Sequence, residues 1–77
     1  MPLQKRTIRI AGHNTSVALE PEFWQVLERL AEKRQMTVKQ LITSIDAQGL
    51  DGGLASALRV FVLNTLLDQI NDHASRD

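Results

Sequence analysis

Polar and apolar positions alternate twice near the N-terminus. Thr7-Ile8-Arg9-Ile10 alternates, and so does Thr15-Ser16-Val17-Ala18-Leu19, which puts Thr15, Val17 and Leu19 on one face and Ser16 and Ala18 on the other. A period of two is the signature of a half-buried strand. Gly12-His13-Asn14 lies between the two pieces and has turn chemistry, since Gly and Asn tolerate positive φ. The period then changes. Pro21 suits the first turn of a helix, with Glu20 and Glu22 favourable near its positive end. Phe23, Val26, Leu27 and Leu30 follow at i, i+3, i+4 and i+7, and Trp24 and Ala31 widen the stripe. Thr37 and Gln40 make a T-x-x-Q capping box with Met36 and Leu41 placed as a staple, so a second helix is predicted to start at Val38. Its stripe is Val38, Leu41, Ile42 and Ile45. Gly49 and Asp51-Gly52-Gly53 end it. A third helix is predicted from about Leu54 to about Ile70 with two stripes: Leu58, Phe61, Val62 and Leu66, and then Val60, Leu63, Leu67 and Ile70. A helix apolar around so much of its circumference needs more than one neighbour, and in a short chain the extra neighbour is expected to be a second subunit.

The elements predict a single, mainly helical domain over 1–77 with a short N-terminal β-ribbon. Residues 1–14 read as a basic arm or first strand, 15–48 as a strand and two helices, 54–70 as an additional helix and 71–77 as a tail. The pattern leaves open whether Thr7–Ile10 pairs with its own Thr15–Leu19 strand or with a partner's.

Length sharpens the expectation of a dimer. A core of 77 residues supplies little stability unless a disulfide, a metal or a second subunit adds to it. The chain has no cysteine, which removes disulfides and thiolate metal sites. His13 and His73 lack ligand-like spacing, so no metal or other cofactor is expected. Ser16, Ser44 and Ser56 have no catalytic motif around them, and Gly49, Gly52 and Gly53 lack the lysine of a phosphate-binding loop, so an enzyme is not expected. Met1-Pro2-Leu3-Gln4-Lys5-Arg6 is not followed by an apolar run and does not read as a signal peptide. Leu54–Ile70 is too polar to span a bilayer. The expected compartment is the cytoplasm, with no membrane partner.

Nine basic and nine acidic residues cancel, which argues against nucleic acid at first sight. Resolved along the chain the balance is +3 over 1–19, zero over 20–45 and −3 over 46–77. The basic head is Lys5, Arg6 and Arg9, with no acid among them.

Ser16-Val17-Ala18-Leu19-Glu20-Pro21-Glu22-Phe23-Trp24, the stripe that follows, the Met36-Thr37-Val38 junction and the second amphipathic helix together resemble the ribbon-helix-helix family of DNA-binding regulators. The resemblance covers about Thr15 to Ile45. The flanks, Arg9 to Ser16 and Leu54 to Val62, look like a bacterial subgroup with an N-terminal extension and an added C-terminal helix. It implies an intertwined homodimer in which two chains form an antiparallel ribbon that enters the major groove of double-stranded DNA. By position it implies Asn14, Ser16 and Ala18 facing bases. Lys5, Arg6 and Arg9 are expected on phosphate, with Thr37 and Val38 clamping a phosphate through backbone N–H groups. Val17, Leu19, Trp24, Leu58, Phe61 and Val62 are expected in the dimer core. Ala18 departs from the family habit of polar side chains on the reading face, since a methyl makes no hydrogen bond to a base edge. That departure motivates an alternative: a protein-interaction or dimerisation module, antitoxin-like versions included, that engages a protein partner through the C-terminal helix with weak or no DNA readout.

Overall fold

The computed structural model describes residues 2–49 and 52–75, the side chains of the last three excepted. It begins with an antiparallel hairpin, β1 (Gln4–Ile10) and β2 (His13–Leu19), paired in register from Gln4 opposite Leu19 to Ile10 opposite His13. The first strand therefore pairs with the second strand of its own chain. The turn is tighter than predicted. Only Ala11 and Gly12 connect the strands, while His13 and Asn14 belong to β2. Both connecting residues have positive φ, 52° and 82°. Two-residue connections with positive φ at both positions match the right-handed twist of a hairpin, whereas the ordinary type I and II turns would splay its strands.

α1 (Pro21–Lys33) starts with proline in its first turn and Glu20 extended at its N-cap. It stops at Gln35, whose φ of 58° is left-handed. There the N–H of Met36 donates to Ala31 O at 2.9 Å and that of Gln35 to Glu32 O at 3.0 Å, which closes the last carbonyls of the helix. The chain turns at once into α2 (Val38–Asp46), beginning where the capping box predicts. Gln40 N donates to Thr37 Oγ1 at 3.0 Å, and Thr37 N donates to Gln40 Oε1 at 2.8 Å. Of the predicted loop after α2, Asp51 lies outside the described residues. α3 (Leu54–Ser75) is longer than expected and takes in most of the predicted tail; Arg76 and Asp77 lie outside the described residues.

The inner face of the hairpin closes over the helices. Ile10, Val17 and Leu19 join Trp24, Leu27, Leu30 and Ala31 of α1, Leu41, Ile42 and Ile45 of α2, and Ala57, Leu58 and Val62 of α3 in one core. α2 packs against β1, and α3 against β2. Five of the six residues expected between subunits, Val17, Leu19, Trp24, Leu58 and Val62, are buried within one chain, and Phe61 is half-buried against the same core. Leu58, Phe61 and Val62 of the first α3 stripe are thus taken by their own chain, while its last member, Leu66, is exposed. The second, outer stripe is not taken: Val60, Leu63, Leu67 and Ile70 are exposed.

Candidate nucleic-acid interface

Cross-strand neighbours in an antiparallel pair point to the same side, so the register divides the hairpin into two faces. Gln4, Arg6, Ile8 and Ile10 share the inner side with Leu19, Val17, Thr15 and His13. Lys5, Thr7 and Arg9 share the outer side with Ala18, Ser16 and Asn14. Burial follows this division. Val17, Leu19 and Ile10 are buried, whereas Lys5, Thr7, Arg9, Asn14 and Ser16 are exposed and Ala18 is half-buried. The outer face is a double row with Lys5 opposite Ala18, Thr7 opposite Ser16 and Arg9 opposite Asn14. It contains two cations, three short polar side chains and one methyl, and no acid. Thr7 is the member that the sequence pattern did not single out, although the alternation of its own strand placed it beside Arg9.

The third cation of the basic head stands on the other side. Arg6 lies with its guanidinium carbon 4.4 Å from the centroid of the Trp24 ring, and its Nη2 is 3.7 Å from Glu28 Oε1. The same indole donates from Nε1 to the carbonyl of Gln4 at 2.8 Å. Trp24 is thus buried in the core while its polar edge holds the start of β1 and its face carries Arg6. A stacked cation at a partly exposed site contributes about 0.5–1 kcal/mol, and a long exposed ion pair adds little to it. These contacts fix the tilt of the hairpin on α1. They also separate Arg6 from Lys5 and Arg9, with which the sequence had grouped it.

The start of α2 is the other expected contact. Its capping box occupies the amides of Thr37 and Gln40. The amides of Val38 and Lys39, in the first turn, have no partner within the helix and point along its positive end. Thr37, Lys39 and Gln40 are exposed around them, Val38 half-buried. Two free amides, a helix dipole and a lysine form a surface suited to a phosphate oxygen. Lys39 was not among the expected contacts, but its place in the first turn of a predicted helix could have revealed it.

The junction between ribbon and helices is tied by a charge. Arg59 of α3 donates from Nε to Glu20 Oε1 at 3.0 Å, with Nη2 also 3.0 Å from that oxygen. A hydrogen bond from its own backbone, followed by the Arg59 guanidinium, holds the Glu20 carboxyl below the usual glutamate range. Among the described residues, no group of three or more His, Asp or Glu side chains is arranged to hold a metal ion, and no helix is long and apolar enough to cross a membrane.

Comparison with known proteins adds to this picture. The ribbon-helix-helix domain family matches residues 3–66. Among solved structures, an uncharacterized protein from Bordetella pertussis Tohama I superposes with a TM-score of 0.80 at 37% identity over 91% of this chain. The match covers 60% of that protein, so this chain spans about three fifths of its length. No curated protein matches the chain.

Proposed function

Given that this chain belongs to the ribbon-helix-helix domain family, we propose that it is a DNA-binding transcriptional regulator that works as a homodimer in the cytoplasm. The observation that carries the reading is the outer face of the hairpin: exposed, free of acids, and mounted on a rigid body through Trp24. β2 pairs with β1 along one edge and has its other edge open, where β2 of a second copy would join it antiparallel. In such a sheet Asn14, Ser16 and Ala18 lie on the two central strands and face the bases. Asn14 brings a donor and an acceptor, Ser16 a hydroxyl, and Ala18 a methyl suited to a thymine methyl.

Lys5 and Arg9 stand on the outer strands. Three strand spacings of about 4.8 Å span roughly 14 Å, more than the ~12 Å width of the major groove. The outer strands therefore sit over the groove's borders, where the phosphates are. Arg6 is left out of this footprint because its guanidinium braces Trp24 and Glu28. The amides of Val38 and Lys39, beside Thr37, offer one further phosphate contact per chain. The overall charge of zero is no obstacle, since the face turned to DNA carries only cations.

Titration of duplex DNA at several salt concentrations tests the reading. Changing Lys5 and Arg9 to Ala leaves up to four phosphates per dimer without their cation. The slope of log affinity against log salt is then expected to fall by about 1 for each such phosphate, for all sequences alike. Asn14→Ala is expected instead to relax sequence preference in a selection from a random pool. Absence of binding to any duplex at low salt would overturn the proposal.

A further inference from the structure

We infer that the outer stripe of α3 is a self-association seam, occupied by α3 of a second copy. The stripe runs Val60, Leu63, Leu67 and Ile70, spaced by three, four and three residues, which is the alternation of the two seam positions in a coiled coil. All four are exposed, Leu63 at 56% and Ile70 at 62%, while Leu58 and Val62 on the other side of the same helix are buried. Single apolar residues scattered on a surface need no partner, whereas a row of four along one helix face is a contiguous patch. No side chain from Leu63 to Asp72 is buried, and Leu66 and Gln69 line an open groove with Val26, Arg29 and Leu30 of α1.

The identity of the occupant follows from what borders the seam. The flanking positions within it are Asn64, Leu66 and Asn71, all uncharged. Arg59, at its upper end, is engaged with Glu20. Asp68 projects away from the seam by the helical repeat. Two copies of this face therefore meet without like charges opposed, as a symmetric, self-complementary contact requires. A different partner chosen by charge would find no charge beside the seam to read. A seam of this length would not hold two isolated peptides together, because helix formation itself is costly. Here the N-terminal half of α3 is already anchored in each core by Leu58 and Val62, so association orders little new chain.

The seam stands apart from DNA binding and is tested without DNA. Leu63→Glu with Leu67→Glu is expected to raise the dissociation constant of self-association, read by sedimentation equilibrium, by about 100-fold or more, since each copy gives up two buried apolar anchors. The far-ultraviolet dichroism of the protomer is expected to be unchanged, because both side chains are exposed in it. As a second readout, a nitroxide on Asn64→Cys is a unique label in a chain without cysteine and lies near the middle of the seam. Dipolar broadening between two labels is expected whether the helices run parallel or antiparallel. An unchanged dissociation constant, an unbroadened spectrum in the associated form, or a wild-type chain that is monomeric and binds the stripe to another protein would each overturn the proposal. Duplex binding retained alongside either of the first two results leaves the regulator reading intact, a monomeric wild-type chain overturns its homodimer as well, and loss of duplex binding with the seam intact overturns the regulator reading alone.

Discussion

Ala11 is the residue with the least comfortable backbone in the ribbon. Its φ of 52° puts a β-carbon where only Gly, Asn and Asp sit easily, and it persists because the two-residue connection keeps β1 and β2 in register. Ala11→Asn gives the Asn-Gly pair favoured at such turns and is expected to stabilise the fold by about 0.5–1 kcal/mol, a rise of several degrees in Tm by calorimetry. The same register is what puts Lys5, Thr7 and Arg9 on the outer face, so a repaired turn should leave any DNA affinity in place. Trp24 works in the opposite direction. Trp24→Phe keeps most of the ring but removes the donor to Gln4 O, at a cost of about 1 kcal/mol, and weakens the seat of Arg6. Hydrogen exchange at the start of β1 should accelerate in this variant; if it did not, the indole would not be what braces the hairpin.

Among the elements, α2 depends most on local chemistry. It is a nine-residue helix, too short to be stable by itself, and both halves of its capping box are made. Thr37→Ala deletes the acceptor for the Gln40 amide and is expected to cost about 1 kcal/mol in denaturant unfolding. It also frees a third amide at the end proposed to meet phosphate. A loss of DNA affinity beyond the loss of folded protein would therefore show that the geometry of this end, and not merely its dipole, matters. α3 shows the reverse dependence. It has apolar residues on most sides, and which side is inside is decided by contacts with α1, α2 and β2.

For the whole molecule, Arg59–Glu20 connects the ribbon–helix junction to α3 across 39 residues of chain. Because the Glu20 carboxyl is held below its ordinary range, the unfolded chain takes up a proton at a higher pH than the folded one. The contribution of the pair is therefore complete above the ordinary glutamate pKa and is lost as pH falls through the lower, folded value. Glu20→Gln should flatten the acid limb of a Tm-against-pH profile and change little near neutrality beyond a constant offset. A wild-type profile parallel to that of the variant down to strongly acid pH would contradict this assignment. The neutral total charge is likewise a property of the whole chain that hides its parts: the cations available to DNA are those the hairpin turns outward.

Sequence alone was enough for everything that rests on period and local chemistry. The change from a period of two to 3.6 announced a ribbon followed by helices, Thr37 and Gln40 located the start of α2 to the residue, and the run from Ser16 to Trp24 pointed to the family that matches. These signals are local, since a strand face, a helix stripe and a cap are each specified by residues a few positions apart. Tertiary structure decided the rest. Arg6 and Arg9 look alike in the chain, yet an odd separation along a strand puts them on opposite faces, and only the position of Trp24 and Glu28 says which face is covered. The two stripes of α3 are equally apolar, and the choice between them was made by the shape of the surface that α1, α2 and β2 present. Five of the six residues expected in the dimer core are buried already within one chain, and Val60, Leu63, Leu66, Leu67 and Ile70 stay outside. Pattern tells which residues avoid water; only packing tells which neighbour removes them from it.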